Sequence, residues 1–357
     1  MKQRPDPQSL FIDANASLLE AFRTMDACGV KLLMVGGPGL FERFVSVGDV
    51  QRAIIGGASI DSPVAALPER VNLTVDAADG REAARALLLR YRAPYTPALT
   101  ADGGVARVFF WEEFFETEPL PPRVNLAHVP VVIMAGGLGS RLRPLTNVIP
   151  KPLIPVGDRS ILEHILDRFS QVGCSRFHLT VNYLADVLRY YVDHRTEYAE
   201  RVTYVDEPTP LGTAGSLHLL AGELQETFFV TNCDILIDQD YSEIYEYHRE
   251  RGNIMTVVTA LRHHSVAYGT VESDHEGRLT RLVEKPELTY AINAGMYILE
   301  PELLVRIPRD RVFHITELIE SLRAAGERVG VFPVSEGSWH DIGVWSEYLK
   351  IKDKPLG

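Results

Sequence analysis

Cysteine is scarce in this chain: Cys28, Cys174 and Cys233 stand far apart and form no CxxC pair. That argues against a disulfide framework or a structural zinc site and fits a reducing compartment. Long apolar runs are also missing. No stretch approaches the length of a membrane span, and Met1 to Pro7 is polar, with two prolines and no apolar signal core. A soluble, cytoplasmic protein is the expectation. Excess positive charge is the third absence. With 36 Lys+Arg against 48 Asp+Glu the formal charge is −12, which argues against general nucleic-acid binding, because neutralising a phosphate backbone needs a basic face. A local basic pocket for a small anion stays open. What the 357 residues do have is an ordinary globular mixture, 46% hydrophobic and 24% charged, enough to bury the cores of two or three domains.

Two stretches of the first 120 residues read as copies of one another. Ile12-Asp13-Ala14 and Val75-Asp76-Ala77 each precede a helical pattern, carried by Leu18, Ala21, Phe22 and Met25 in one and by Ala84, Leu87 and Leu88 in the other. Each then runs through a short apolar segment and a Gly-rich turn, and closes on a β-like run: Phe44 to Val47 before Asp49, and Val108 to Phe110 before Glu113. A tandem repeat of roughly 60 residues predicts two small α/β units packed on one another, here residues 1–62 and 63–118. Pro119, Pro121 and Pro122 interrupt any helix or central strand, which places a linker at 119–130. Beyond it, from 131 to 357, strands alternate with helices. Val131 to Met134, Phe177 to Val181, Val202 to Val205, Phe228 to Thr231 and Met255 to Ala260 are strand candidates, and Ser160-Ile161-Leu162-Glu163 is a capping box opening a helix. The pattern predicts a mostly parallel, three-layer α/β sheet, in which ligands bind beyond the carboxyl ends of the strands.

The sharpest string follows the first of those strands: Ala135-Gly136-Gly137-Leu138-Gly139-Ser140-Arg141, then Pro150-Lys151-Pro152. Three glycines let backbone N–H groups approach a phosphate chain and form an anion nest. The spacing is neither GxGxxG nor GxxxxGK[ST], so it fits neither the usual dinucleotide fingerprint nor a P-loop. Arg141 offers a fork of donors and Lys151 a compact point charge on a chain stiffened by prolines.

The segment Met134 to Val156 resembles the signature of the sugar-1-phosphate nucleotidyltransferases, a family with a Rossmann-like catalytic domain. The resemblance implies in-line attack of a sugar phosphate oxygen on the α-phosphorus of an NTP with Mg²⁺, giving an NDP-sugar and pyrophosphate by positioning and charge neutralisation. It makes Arg141, Lys151 and Asp234 catalytic and assigns nucleotide contacts to Ala135, Gly136, Gly137, Gly139, Ser140, Arg141, Glu207, Gly212 and Thr213. Asp234, ending Phe228 to Cys233, and Asp341 in Trp339-His340-Asp341-Ile342-Gly343 would be the metal ligands, since Mg²⁺ takes hard oxygens. Alone, either Asp would read as a turn or helix-cap residue. Glu284-Lys285-Pro286, Tyr268-Gly269 and Asn293-Ala294-Gly295 resemble the sugar-phosphate elements, which makes Gly269, Glu284, Lys285 and Asn293 the sugar-phosphate contacts. His263-His264 has no role by this resemblance and reads as solvated surface. Because the chain ends soon after Asp341, the β-helix acyltransferase domain of bifunctional relatives is not expected.

Glu207-Pro208-Thr209-Pro210-Leu211-Gly212-Thr213-Ala214-Gly215 occupies the base-recognition stretch and looks like that of GDP-mannose-type enzymes. A carboxylate accepts two parallel bonds from guanine N1–H and N2–H₂, roughly 1–3 kcal/mol of discrimination. GTP therefore leads; uracil N3–H also suits Glu207, so UTP is the second reading. The acceptor is a hexose or hexosamine 1-phosphate whose identity is not legible. Phe44 to Arg52 resembles the ribose-binding end of a cystathionine-β-synthase (CBS) motif, with Ser46 and Asp49 placed to hold an adenosine nucleotide; the second copy departs from it, with Phe110 and Glu113 in those places. A packing or dimerisation module is the alternative for this pair. Its fusion to a guanylyltransferase-like domain resembles a bacterial subgroup making GDP-linked amino sugars for surface glycans. A homo-oligomer is expected. The rival from another class is a catalytically silent sensor on the same fold, which is expected to have lost Lys151, Asp234 or Arg141; all three are present.

Overall fold

A computed structural model describes residues 4–69, 73–78, 80–115, 124–309 and 311–352. The chain divides into two units, Met1–Pro121 and Pro122–Gly357. Pro119, Pro121 and Pro122 lie outside the described residues. The expected linker is shorter than 119–130 in one respect. Leu126 and Val129 are buried in the second unit, and the Leu126 N–H donates to the Val172 carbonyl at 2.8 Å, so that end of the stretch is core.

In the first unit the same succession of elements occurs twice. Strand Phe11–Ile12, helix Leu18–Cys28, strands Leu32–Gly37 and Leu40–Ser46 and helix Val47–Ile55 are followed by strand Val75–Asp76, helix Gly80–Tyr91, strands Tyr95–Leu99 and Val105–Phe110 and the 3₁₀ turn Trp111–Glu113. Each copy forms a three-stranded sheet whose first pair is parallel and second antiparallel, with a bulge after Val35 in one and after Ala98 in the other. Asp13 and Asp76 even make the same turn, accepting from the N–H of Asn15 at 2.7 Å and of Ala78 at 2.8 Å. The two sheets share one core in which the rings of Phe41, Phe44, Tyr95 and Phe110 follow in succession, and the Tyr95 hydroxyl donates to the Leu32 carbonyl at 2.7 Å. The internal repeat is therefore real in three dimensions.

The second unit is built on a seven-stranded sheet in the order Val202–Asp206, Phe177–Val181, Val131–Met134, Phe228–Asn232, Glu287–Leu299, Met255–Ser265, Val329–Val334. Glu287–Leu299 runs antiparallel to both neighbours and the other pairings are parallel. Alternation along a strand sends successive side chains to opposite faces. Phe228 and Val230 join Val132, Tyr297 and the helix Ile315–Ala324 on one side. Phe229 turns the other way, against Phe169 of helix Ile161–Gln171 and Tyr241 of helix Tyr241–Arg251. These are the three layers. Ser160 caps Ile161–Gln171 through the expected capping box with Glu163. Among the described residues no helix is long and apolar enough to cross a membrane.

The strand Val131–Met134 sits between Phe177–Val181 on one side and Phe228–Asn232 on the other. Chain leaving its carboxyl end passes to one side, while the strand on the other side is reached later. Such a switch opens a crevice between the loops that follow the two central strands.

Candidate active site

The Gly loop leaves Met134 at that crevice and Asp234 follows Asn232 on the neighbouring strand, so the fold places both where the crevice predicts. Gly139 adopts φ +60 and turns the chain into the 3₁₀ turn Ser140–Leu142. A Cβ there would lie 2.8 Å from Thr146 and 3.3 Å from the Lys151 Cβ, so the missing side chain lets the loop close on the lysine's stem. Thr146 locks the turn by donating from its hydroxyl to the Gly139 carbonyl at 2.9 Å. Pro150, with φ −53, then starts the turn Lys151–Leu153. Gly137, Ser140 and Arg141 are exposed, while Ala135 is buried and its N–H donates to the Thr180 carbonyl.

Lys151 is ion-paired with Asp234, and both side chains are nearly out of water, at 14% and 5% exposure. Burial alone would lower the lysine's pKa; it is opposed chiefly by the Asp234 carboxylate, through its charge and its hydrogen bond, and the balance holds the ammonium above its ordinary value. Asp341 comes from 107 positions further on. What delivers it is a short antiparallel ladder in which Ile235, Leu236 and Ile237 face Asp341, His340 and Trp339. Burial and the neighbouring Asp234 carboxylate raise the Asp341 carboxyl above the usual aspartate range, while Lys151 and Arg141 pull it back. Both carboxylates border the position of a Gly343 Cβ and form a hard-oxygen pair of the kind that suits Mg²⁺. Among the described residues no group of three or more His, Cys, Asp or Glu gathers as a metal cage.

Gly343 completes this cluster, a residue to which the sequence pattern alone attaches no role. A Cβ on Gly343 would lie 2.2 Å from Asp234 Oδ2, 2.8 Å from Asp341 Oδ1 and 3.2 Å from Lys151 Nζ. Its N–H donates to Asp341 Oδ1 at 2.7 Å, and the Ile342 N–H donates to the Asp234 carbonyl at 2.9 Å. Only a residue without a side chain fits between the three charges. The signal was its position two residues after Asp341, but nothing local to the sequence says what crowds it.

Glu207 lies at the side of the same loop, 8% exposed. A Cβ on Gly136 would meet its carboxylate at 2.6 Å, so the loop backbone passes directly over it. Burial pushes the Glu207 carboxyl above its ordinary value, offset in part by Thr180, the Leu211 N–H and Ser216. Asn182 fixes the main chain beside it, donating from Nδ2 to the Glu207 carbonyl at 2.7 Å. The stretch after it is tied to the Phe313 region. Gly212, at φ +84, has its Cβ direction blocked by the Phe313 carbonyl at 2.7 Å and the His314 ring at 3.2 Å. The Thr213 hydroxyl accepts from the Ile315 N–H at 3.1 Å, so it serves the start of helix Ile315–Ala324.

The sugar-phosphate candidates form a second, more open group. A Cβ on Gly269 would lie 2.9 Å from Glu284 Oε2, which joins those two motifs. Glu284 and Lys285 are exposed, and Lys285 has φ +44, a left-handed backbone that a lysine seldom adopts. Asn293 Oδ1 accepts from the Gly295 N–H at 3.0 Å and the Tyr297 hydroxyl at 2.9 Å, so what it presents outward is its NH₂. Gly295, at φ +80, packs against Asn232, and Trp339 donates its indole N–H to the Ala294 carbonyl at 3.0 Å. The strand carrying Asn293 is thus tied to both carboxylate-bearing segments. His263, expected on the solvated surface, is half-buried with Nδ1 against the Thr289 hydroxyl at 2.9 Å.

In the first unit Ser46 and Asp49 already hold one another. Ser46 is the N-cap of helix Val47–Ile55, its hydroxyl donating to Asp49 Oδ2 at 2.6 Å, and Arg52 takes the other carboxylate oxygen at 2.7 Å. In the second copy Glu113 keeps the backbone half of that motif, accepting from the Phe110 N–H at 3.1 Å.

Comparison with known proteins bears on the second unit. A family model described as Nucleotidyl transferase matches residues 130–356. A mannose-1-phosphate guanyltransferase of Aspergillus fumigatus is 34% identical over 226 residues, which cover 61% of this chain and 62% of that protein. Mannose-1-phosphate guanylyltransferase 1 of Arabidopsis thaliana is 34% identical over 227 residues, with the same coverage. The chain therefore spans 62% of the length of these relatives. A crystal structure of a Bacillus anthracis protein superposes with a TM-score of 0.50 at 21% identity, covering 64% of this chain and 97% of that one, a likeness of fold.

Proposed function

The chain belongs to the nucleotidyl transferase family, and from that premise we propose that it is a sugar-1-phosphate guanylyltransferase, joining GTP and a hexose or hexosamine 1-phosphate into a GDP-sugar. The observation that carries the reading is the buried Lys151–Asp234 pair with Asp341 beside it, directly behind the Gly loop. The relatives at 34% identity are mannose-1-phosphate guanylyltransferases, which supports guanine over other bases.

In this reading the exposed amides of the Gly loop and Arg141 receive the triphosphate. Lys151, kept charged by Asp234, neutralises charge that builds on the reacting phosphates. An oxygen of the sugar phosphate bonds to the α-phosphorus as the bond from that phosphorus to the bridging oxygen breaks, and pyrophosphate leaves with those electrons. No side-chain base is needed, because the attacking phosphate is already an anion. Asp234 and Asp341 would hold Mg²⁺, which when bound supplies further charge neutralisation on the phosphates. Glu207 supplies the acceptor pair for guanine N1–H and N2–H₂. A buried carboxylate is suited to this, since a base that brings two donors to it is favoured over one that brings none. Lys285 and Glu284 receive the sugar phosphate and sugar hydroxyls, and Asn293 donates from its NH₂.

We extend the proposal to the first unit as a CBS-type regulatory pair in which Ser46 and Asp49 hold a ribose. The repeat topology supports it. Binding there requires the Ser46–Asp49 contact to open, so Asp49→Asn is expected to abolish any adenosine-nucleotide binding by the first unit; undiminished binding would remove that role.

The test of the main reading is pyrophosphate release with Mg²⁺ across five NTPs and a panel of hexose and hexosamine 1-phosphates. Release with GTP and one sugar phosphate is expected. Release with UTP alone would assign Glu207 to uracil N3–H, and no release with any pair would favour a silent sensor.

A further inference from the structure

The loop that carries Arg141 toward Lys151 has little core of its own. From Gly137 to Ile149 only Leu142 and Thr146 are buried. Its turns close on themselves: the Leu142 N–H donates to the Gly139 carbonyl at 2.9 Å and the Asn147 N–H to the Pro144 carbonyl at 3.0 Å. Turns of this kind fix the shape of a loop, but with so few buried contacts they do not fix its place against the rest of the fold. Tyr183 comes near, its hydroxyl 3.5 Å from the Asn147 carbonyl, at the limit of a hydrogen bond.

A firmer tie comes from the helix Trp345–Ile351. The Trp345 indole N–H donates to the Arg143 carbonyl at 3.2 Å, across 202 positions of sequence. Just past the other end of that helix, the Lys352 carbonyl accepts from the Gly157 N–H at 2.7 Å. These two bonds fall on either side of Lys151. The helix starts at the second residue after Gly343, so one short stretch supplies Asp341, fits Gly343 between the charges and then bridges the segment bearing Arg141 and Lys151. The Arg141 charge already acts on both Lys151 and Asp341. Trp345 is 38% exposed, so packing alone does not account for a tryptophan here; its contact with the loop uses the indole N–H, which other apolar side chains lack. The ring of Tyr348, one helical turn on and 8% exposed, meets it edge-on at 5.9 Å and fixes its direction.

We propose that Trp345 is a positioning residue that pins the loop bearing Arg141 to the segment bearing Asp341, so that the loop is in place before a triphosphate arrives. What the loop receives rests on the guanylyltransferase reading; the pin itself does not. A loop held beforehand has less freedom to lose on binding, so the pin acts on affinity for the nucleotide.

Trp345→Phe removes the N–H and keeps an aromatic ring against Tyr348. Hydrogen exchange of the full chain, read on peptides covering 139–150, tests the pin without catalysis. Exchange there is expected to speed up about three- to tenfold, as loss of one hydrogen bond predicts, with the central sheet and the melting curve unchanged. In steady state the KM for GTP is expected to rise by a similar factor, and the KM for the sugar 1-phosphate to stay within about twofold of wild type. Unchanged exchange in 139–150 overturns the proposal. So does a lowered melting temperature with faster exchange throughout the second unit, or an equal rise in both KM values, since either gives Trp345 a general role in the fold. Faster loop exchange beside a wild type that joins GTP to no sugar phosphate would uphold the pin and overturn the guanylyltransferase reading instead.

Discussion

The two ends of the proposed catalytic crevice are built on opposite plans. At the phosphate end Lys151, Asp234, Asp341 and Gly343 interlock, mostly out of water, with a ladder and two main-chain bonds fixing their spacing. At the sugar end Glu284 and Lys285 are exposed, and Lys285 stands on a left-handed backbone. Groups that must meet a transition state gain most from being fixed beforehand, because no reorganisation is left for the moment of reaction. Groups that only receive a substrate can order on binding, at a cost to affinity rather than to turnover. In the proposed function this contrast puts chemistry at one end and selection at the other.

The largest break in that contrast is expected from Lys151→Ala and Asp234→Asn, each lowering kcat by a factor on the order of a hundred to a thousand, about 3–4 kcal/mol. Circular dichroism should show the fold retained. Gly343→Ala should follow closely, lowering kcat on the order of a hundredfold, because its methyl group enters the space between the three charges; steady-state rates near wild type would mean the cluster yields easily. Glu207→Gln should reduce the preference for GTP over ATP by roughly five- to a hundredfold, read as a ratio of kcat/KM values.

The same Glu207→Gln variant sharpens the comparison from the side of stability. Burial raises the Glu207 pKa in the folded chain above its ordinary 4.5. Folded protein then holds the proton more tightly than unfolded chain, so stability contributed below that value is lost as pH rises through the raised one. Replacing the carboxyl with an amide should therefore raise the melting temperature at pH 8, by about 2–4 °C per kcal/mol recovered, and change it little at pH 4. An equal shift at both pH values would show that desolvation is not the cause.

The phosphate end was largely legible in the sequence because its parts are contiguous: a strand, three glycines, Arg141, and Lys151 between prolines. Asp234 was legible for the same reason, being the polar end of Phe228 to Cys233. The internal repeat was visible in paired Asp13 and Asp76, and the structure shows both closing the same turn. What was not legible depends on contacts across the chain. Gly343 needs Asp234 beside it before its missing side chain means anything. Glu287–Leu299 runs antiparallel and 13 residues long because it pairs with two strands at once, which local patterning does not encode. Ser46 and Asp49 show the reverse problem. Their spacing suits a ribose and a helix cap equally, and the structure uses it as a cap.

The most direct test of this division is a steady-state comparison of Lys151→Ala and Lys285→Ala with GTP and the accepted sugar 1-phosphate. The account predicts that Lys151→Ala lowers kcat with little change in KM, while Lys285→Ala raises KM for the sugar phosphate and leaves kcat within a few-fold of wild type. A collapse of kcat in Lys285→Ala as deep as that in Lys151→Ala would contradict it, placing chemistry at both ends of the crevice.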